Sequence, residues 1–297
     1  MIAFCTVADD RYGRKGGLYT ITQKKLYEKL KRLNLSIDVY NMWDWSDIKA
    51  SKHYFDHKDV LDNPDASQNG RLYKPLVIKD SLERVPMGGC VIYNDTSPEI
   101  WNQFFSAKIN DSNFSAKILV DLCERNGDVL TLHTWFDDAG DTIGHHTHDN
   151  FTSEACLKIM DAEKYRHSLQ HASGLVVVRK TPETVDFVAE WISYNKTPEC
   201  GGLGVVGEWS EFAACPSLKL GHRHDQSVSG ILVNKRGGKL CKKLESSAFL
   251  RINKHNFLNF CQKRTSYEFI DSNISPLPHK FFRRKVDPPY GYDVILK

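Results

Sequence analysis

The chain of 297 residues is 41% hydrophobic and 26% charged, a composition typical of globular proteins that bury a large core. A formal net charge of +3 is too small to indicate a nucleic-acid partner, and no segment has the length and apolarity of a transmembrane span. The 8 cysteines show no C-x-x-C spacing, which argues against a structural zinc and for a reducing compartment, the cytoplasm. Nothing in the composition indicates an oligomeric state.

The amino-terminal residues predict a parallel βαβ unit, the first piece of an α/β fold. Ile2–Ala8 and Leu35–Tyr40 read as buried strands, and the segment between them has leucines at helical spacing. In such units ligands meet the loop that follows the first strand. The candidate nucleotide contacts at this loop are Thr6, Ala8, Asp9, Arg11 and Tyr12. The polar, aromatic stretch Met42–Asn69 that comes next is interpreted as a long surface excursion, a candidate lid.

The strongest functional signal lies further along, where a short apolar, β-prone run ends on Asn94 and Asp95. Open α/β sheets place ligands at the carboxyl ends of their strands, so a carboxylate here is a candidate ligand contact. Arg71 and Lys74 lie ahead of the helical stretch that precedes this run, which brings cationic side chains toward the same rim. The set suits a diphosphate with a divalent ion, although Asp95 could equally serve as a turn cap.

Further segments supply candidate contacts for a sugar. His148 and Asp149 belong to a stretch rich in His and Asp that lacks the spacing of a zinc site, and we interpret it as an exposed polar loop facing an acceptor. Ser173 and Gly174 come directly before an apolar strand, and such small residues let a ligand approach closely. In the carboxy-terminal segment, His279 is placed to reach a phosphate or a metal.

Asp225 is the candidate catalytic residue. It lies at the predicted start of a helix, in the run His-Arg-His-Asp-Gln-Ser. Aspartate is a preferred helix N-cap, so a capping role competes with a chemical one. Fixed on a rigid helix start beside His224 and Arg223, the same carboxylate would be kept ionised and could act as a general base or accept a sugar hydroxyl. Gln226 follows as a further sugar contact.

Three segments in this order resemble the pattern of GT-A-fold sugar transferases: Tyr73-Lys74-Pro75, Tyr93-Asn94-Asp95 and His222–Ser227. The likeness spans roughly residues 70–237, and the chain is also similar to enzymes with which large DNA viruses of algae decorate capsid glycans. It implies a single GT-A-like domain over residues 1–297, with a mostly parallel, Rossmann-like central sheet flanked by helices. Residues 1–133 would form the nucleotide-binding half, and residues 134–297 the acceptor-side half with the carboxy-terminal tail.

The resemblance also implies roles for individual residues. Asp95 falls at the end of the carboxylate motif that binds the metal and the diphosphate. His279 takes the position of a carboxy-terminal histidine that helps to bind the metal or a phosphate. Ser173-Gly174 resembles a loop near the donor sugar. His224-Asp225 resembles the pair whose acid is the catalytic base in inverting members.

The implied function is transfer of a sugar from a nucleotide-diphosphate donor, a UDP-sugar such as UDP-xylose, to a hydroxyl of a glycan or glycoprotein. A divalent cation, Mn²⁺ or Mg²⁺, would assist, and Asp225 would take the acceptor proton in an inverting displacement. The alternatives are a retaining glycosyltransferase, a non-catalytic domain that binds nucleotide or glycan, and a metal-dependent hydrolase built on the cluster His145–Asp149.

Overall fold

A computed structural model describes residues 1–11, 18–33, 35–63, 71–96, 116–133, 135–138, 142–145, 147–202, 222–241 and 269–271. Its strands are β1 (Ile2–Ala8), β2 (Val39–Asp44), β3 (Cys90–Asn94), β4 (Val129–His133), β5 (Trp135–Asp138), β6 (Thr142–His145), β7 (His171–Arg179), β8 (Lys239–Cys241) and β9 (Phe269–Asp271). Its helices are α1 (Leu18–Leu33), α2 (Trp45–Ala50), α3 (Lys58–Leu61), α4 (Tyr73–Arg84), α5 (Lys117–Arg125), α6 (His148–Phe151), α7 (Glu154–Ile159), α8 (Pro182–Lys196), α9 (Pro198–Gly201) and α10 (Asp225–Lys235), with 3-10 turns at Phe55–His57 and Glu163–Tyr165. No helix in these ranges has the length and apolar character needed to cross a membrane.

The centre of the molecule is an open five-stranded sheet with the strand order β2-β1-β3-β7-β4. β1 pairs in parallel with both β2 and β3. β7 runs antiparallel between β3 and β4, so that β4 points the same way as β3. β5 with β6 and β8 with β9 form separate two-stranded pairs. The expected α/β class is therefore confirmed, with a mixed central sheet in which four of the five strands run in the same direction.

The central strands are covered on both faces, which explains their nearly continuous apolar sequences. Val91 and Ile92 in β3 and the valines of β7 are almost completely inaccessible. Alternate strand residues, among them Cys5 and Val176, join the core cluster formed with α4, α8 and α10. α1 contacts β1, and α5 contacts β7. The sheet and its helical cover form the frame that holds the polar residues at its edge.

The turn between α4 and β3 decides which ends of these elements meet. Gly88 has a φ of +80°, and a Cβ on Gly89 would lie 2.9 Å from the Pro86 carbonyl oxygen, so both positions require glycine. Lys180 holds the turn, because its N–H donates to the Gly89 carbonyl at 2.7 Å and its carbonyl accepts from the Gly88 N–H at 2.9 Å. α4 therefore runs back along β3, and its amino end lies near the carboxyl end of that strand.

The expectations for the segment after α1 are corrected. The second strand is Val39–Asp44 instead of residues 35–40. In its described part, the stretch interpreted as a surface excursion folds into α2, a 3-10 turn and α3, and buries apolar side chains such as Ile48 and Leu61 in the core. Asp44 explains the change, because its side chain forms a capping box and starts α2 directly after the strand.

Candidate functional site

Residues predicted from separate stretches of the chain meet around one lysine ammonium at the carboxyl end of β3. Lys74, in the first turn of α4, is completely buried. Its Nζ lies 2.8 Å from Asp225 Oδ2 and 3.3 Å from Asp95 Oδ1. The same Nζ donates to Ser173 Oγ at 3.0 Å and to the Ser173 carbonyl at 3.2 Å. A buried ammonium requires such partners, because its removal from water is costly. We call Lys74, Asp95, Ser173 and Asp225 the lysine cluster.

Asp95 is the member of the lysine cluster that reaches the surface. Its side chain is 19% exposed, against 2% for Asp225 and 1% for Lys74. The Tyr93 hydroxyl donates to Asp95 Oδ1 at 2.6 Å, and the Asp95 N–H donates to the Gly174 carbonyl at 2.9 Å. Burial, together with the charge of Asp95, raises the pKa of Tyr93, so the phenol stays protonated and continues to donate. The carboxylate is therefore held in one orientation at the strand end.

Asp225 begins α10, and its carboxylate is engaged by the lysine cluster. Ser173 Oγ donates to Oδ2 at 2.7 Å, the same oxygen that Lys74 contacts. On the main chain, Trp191 Nε1 donates to the Asp225 carbonyl at 3.1 Å. The N-cap position belongs to His224, whose side chain makes no capping hydrogen bond. The alternative in which Asp225 caps the helix is therefore wrong.

Unusual backbone conformations lie just before both charged helix starts. His224, before Asp225, has φ 46° and ψ −119°, and Arg71, before Lys74, has φ 51°. Positive φ is uncommon for residues other than glycine, and such strain is concentrated at functional sites. Burial lowers the pKa of His224 far below its usual value, and the charge of the nearby Arg71 contributes to the same shift. The two strained residues therefore lie in one electrostatic environment.

The histidines before Asp225 are neutral, in contrast to the expectation that cationic neighbours there would keep its carboxylate ionised. His222 accepts from a backbone N–H through Nδ1 at 3.2 Å and donates through Nε2 to a backbone carbonyl at 2.7 Å. Burial lowers the pKa of His222 to about 4. His224 donates through Nδ1 to a backbone carbonyl at 3.1 Å. Among the residues that the structure describes, it is the ammonium of Lys74 that contacts the Asp225 carboxylate.

His148, expected in an exposed loop, is completely buried, and that expectation is wrong. Asn234 Nδ2 donates to His148 Nε2 at 2.9 Å and to the Leu169 carbonyl at 3.2 Å, and Asn234 Oδ1 lies 3.1 Å from His171 Nε2. Because the carbonyl fixes the amide orientation, the ring proton lies on Nδ1 of His148 and on Nε2 of His171. Burial lowers the pKa of His148 to about 3 and that of His171 to about 4. This network joins α6 to β7 and α10, which carry members of the lysine cluster.

The other predicted contacts are engaged by protein groups or lie outside the described residues. Asp149 forms an ion pair with an arginine at 3.5 Å, and Gln226 donates to a neighbouring glutamine at 3.0 Å. Asn94 is buried at the end of β3, and its amide donates to the carbonyl of the next residue at 2.7 Å. Tyr12 and His279 belong to the residues that the structure does not describe.

A second polar region lies at the carboxyl ends of β1 and β2, where an open cleft has a volume of about 370 Å³. Its lining residues are Ala8, Asp10, Arg11, Thr20, Asp44, Trp45 and Ser46. Asp9 and Arg11 form an ion pair at 2.7 Å, and the Arg11 guanidinium stacks over the Trp45 ring. Thr6 is buried within β1. Sequence reasoning missed Asp44 and Trp45, although an aspartate closing a strand before a helix was a usable signal.

The cleft and the lysine cluster share one edge of the sheet. Thr96, after β3, donates through Oγ1 to the Val7 carbonyl of β1 at 2.7 Å. From β1 the chain continues to β2, which lies on one side of the β1–β3 pair, whereas from β3 it continues to β4, which lies on the other side. In open α/β sheets the crevice outside two such strands is the usual ligand site. Both polar regions therefore lie at the edge where a ligand is expected.

A divalent ion at Asp95 would have to displace partners that the carboxylate already has. Both carboxylate oxygens lie 3.3 Å from Lys74 Nζ, and a tyrosine hydroxyl already donates to one of them. Within the described ranges, the ligand-type side chains that come together are His53, Asp80 and Glu83, whose candidate ligand atoms lie within 4.8 Å of one another. These residues could hold a metal ion. Asp80 lies about 9 Å along α4 from Lys74, so this group is separate from the lysine cluster.

No family model, curated protein or solved structure matches this chain. Its function is therefore inferred from the lysine cluster and the cleft beside it.

Proposed function

We propose that the chain is a glycosyltransferase of the GT-A type that moves a sugar from a nucleotide-diphosphate donor, a UDP-sugar, to a hydroxyl of a glycan or glycoprotein. The observation that supports this proposal is the meeting of Lys74, Asp95 and Asp225 at the carboxyl edge of an open α/β sheet. Such a reaction needs a cation for the diphosphate and a base for the acceptor at fixed positions in one site. The single domain over residues 1–297, with halves 1–133 and 134–297, stays a prediction.

The proposal puts the nucleoside in the cleft at the ends of β1 and β2. In nucleotide-binding α/β folds, an acidic residue beyond the first helix accepts a hydrogen bond from a ribose hydroxyl, and Asp44 at the end of β2 is suited to this role. Trp45, over which Arg11 stacks, adds an aromatic face to the same cleft. The diphosphate would then extend along the sheet edge toward Asp95, and the donor sugar toward Ser173.

Transfer involves two movements of charge, and the lysine cluster has a group for each. The bond between the anomeric carbon and the leaving phosphate oxygen breaks with its electron pair, and the Lys74 ammonium would compensate the charge that the diphosphate gains. The acceptor oxygen forms the new bond to the anomeric carbon, and its proton would pass to the Asp225 carboxylate as general base. Attack opposite the leaving group inverts the anomeric centre.

The proposed base must become accessible before it can act. The Asp225 side chain is 2% exposed, and Lys74 occupies its Oδ2 at 2.8 Å. The proposal therefore requires the donor diphosphate to draw Lys74 away from Asp225. The ammonium then pairs with the diphosphate instead of the Asp225 carboxylate, and the carboxylate is left to accept from the acceptor hydroxyl. Asp95, already 3.3 Å from the ammonium, would hold Lys74 on the diphosphate side.

A divalent ion, Mn²⁺ or Mg²⁺, at Asp95 and His279 stays a prediction. Such an ion would add positive charge against the diphosphate. Asp95 could bind it only by giving up Lys74 or Tyr93 as a partner of its carboxylate. The proposed reaction therefore relies on Lys74 and Asp225, and no step depends on a metal.

A non-catalytic domain that binds nucleotide or glycan is the second candidate, and the burial of Asp225 favours it. A completely buried lysine placed between two carboxylates, as Lys74 is, also occurs as a structural ion pair with no catalytic role. A retaining transferase remains an alternative within the catalytic class. The hydrolase alternative loses support, because His148 lies buried with its ring nitrogens engaged by Thr152 and Asn234.

Measuring UDP release and UDP binding on the same protein separates the two candidates. With a panel of UDP-sugars that includes UDP-xylose, we expect the wild type to release UDP. Asp225→Asn should slow release about 10²–10⁴-fold, the usual contribution of a general base, while calorimetric UDP binding persists. Asp186→Asn, which changes an exposed carboxylate of α8, is the matched control and should react at the wild-type rate.

Either of two results would decide against the catalytic proposal. Near-normal release by Asp225→Asn would exclude that residue as the base. UDP binding without release from any donor would favour the non-catalytic domain.

A further inference from the structure

We propose that His53, Asp80 and Glu83 form a binding site for one divalent transition-metal ion of the zinc type, independent of the glycosyltransferase proposal. His53 lies between α2 and the following 3-10 turn, and the two acids are neighbours on one face of α4. One imidazole nitrogen with two carboxylate oxygens is a donor set that Zn²⁺ accepts, with water completing the coordination. The ion would join the segment after α2 to the helix that carries Lys74.

The candidate ligand atoms already converge. His53 Nε2 lies 4.0 Å from Asp80 Oδ1 and 4.0 Å from Glu83 Oε2, and the ligand atoms of the group all lie within 4.8 Å of one another. Donor atoms around a tetrahedral zinc ion, with bonds of about 2.0–2.2 Å, are about 3.4 Å apart. The distances must therefore shorten by about 0.6–1.4 Å. The Glu83 side chain is 39% exposed and can make most of that movement by rotation.

The His53 ring is the feature that a cluster of ion pairs alone does not explain. The residue is 7% exposed, and its Nε2 has no hydrogen-bond partner in the described part of the chain. Buried polar atoms are almost always paired in native proteins, and one that lacks a partner lowers stability or indicates a water or an ion. Because this nitrogen faces the Asp80 and Glu83 carboxylates, one bound cation would satisfy all of these groups together.

Basic side chains neutralise the two acids, and the ion must displace some of them. Glu83 is ion-paired with Lys52 and, at 2.6 Å, with Lys79. Arg84 pairs with Asp80 Oδ2 at 2.7 Å and leaves Oδ1 for the ion. The side chains of Lys52 and Arg84 are 64% and 54% exposed, and exposed ion pairs of this kind contribute little to stability. Removal of a competing lysine should therefore strengthen metal binding.

Zinc titration of the full chain, kept reduced, tests the site. We expect the wild type to bind one equivalent of Zn²⁺ that His53→Ala does not bind. A hundredfold excess of zinc over the dissociation constant should raise the unfolding midpoint of the wild type by about 5 °C more than that of the variant. His57→Ala changes a histidine of the same segment and is the matched control, which should keep this equivalent. Lys52→Met should bind it about threefold more tightly.

Co²⁺ distinguishes this site from zinc taken up by cysteine, because nitrogen and oxygen ligands give no thiolate charge-transfer band. Equal metal uptake and equal shifts of the unfolding midpoint in the wild type and His53→Ala would overturn the proposal. A thiolate charge-transfer band from the metal equivalent that His53→Ala fails to bind would also overturn it. If His53→Ala does not fold, the zinc affinity of Lys52→Met tests the site instead, because Lys52 is exposed and its replacement leaves the core unchanged. An unchanged zinc affinity in that variant contradicts the site.

Discussion

Replacing Lys74 by methionine removes the charge at the centre of the lysine cluster and keeps most of the side-chain volume. The substitution leaves the Asp225 side chain, which is 2% exposed, without an ammonium at 2.8 Å, although Ser173 Oγ still donates to it at 2.7 Å. Removing one partner of a buried ion pair costs about 3–5 kcal/mol. Because one hydrogen bond is retained, we expect the free energy of unfolding to fall by about 3 kcal/mol, at the lower end of that range.

Asp225→Asn should cost less, about 1–2 kcal/mol, because the ammonium keeps Asp95 at 3.3 Å and the Ser173 carbonyl at 3.2 Å. The double variant should recover part of the Lys74→Met loss, since it removes the uncompensated carboxylate. Urea unfolding at neutral pH measures all three variants, and an unchanged denaturant slope shows that compactness is preserved.

Lys79→Met is the control for the lysine substitution, because Lys79 lies on the same helix with its side chain 35% exposed. We expect its effect to stay below about 1 kcal/mol, as for other surface ion pairs. A Lys74→Met loss no larger than that of Lys79→Met would refute the buried pairing of Lys74 with Asp225.

Acid should destabilise the fold through buried histidines whose folded-state pKa burial lowers to about 3 or 4, namely His148, His171 and His222. In the unfolded chain the same histidines have a pKa near 6.5, so the unfolded state binds protons preferentially as the pH falls from 6.5 toward 4. Each histidine should therefore lower the free energy of unfolding by about 2 kcal/mol between pH 7 and pH 5. Equal free energies of unfolding in urea at the two pH values would contradict this prediction. Gly230→Ala would place a Cβ 3.0 Å from His148 Cε1. The cost of overpacking should exceed the gain in helix propensity, so we expect the free energy of unfolding to fall by about 1 kcal/mol. An unchanged thermal midpoint would show that the His148 ring can move aside. Tyr93→Phe removes the donor to Asp95 Oδ1 and should lower the free energy of unfolding by about 1 kcal/mol in the same urea assay; no loss would mean that the hydrogen bond is not needed.

The parts of the site that could be predicted are those with a local signal. An apolar run that ends on Asp95 predicts a strand with a carboxylate at its end, and the periodic residues after Asp225 predict a helix that starts there. The contact of Lys74 with Asp225 has no local signal, because it depends on how α4 packs against β1 and β3 and on how α10 packs against β7. The role of Asp225 could not be predicted for a similar reason. An aspartate that caps the helix and one that is its first residue differ by a single position, and a sequence does not define the helix start that closely.

Polar residues in the core are where sequence reasoning fails most clearly. His148 lies in a stretch of histidines and aspartates, which is typical of an exposed loop. It is buried because Asn234 and Thr152 satisfy its ring nitrogens, and Asn234 is remote in the chain. A sequence shows that burying a histidine is costly but does not show the partner that offsets the cost.

Calorimetric titration of UDP onto the wild type, Lys74→Met and Lys79→Met tests most directly whether the lysine cluster is a donor site. We expect the wild type and Lys79→Met to bind UDP with equal affinity. Lys74→Met should bind it at least about tenfold more weakly, because a charge-assisted contact to phosphate is lost. Absence of UDP binding to the wild type, or equal binding by all three proteins, would contradict the assignment.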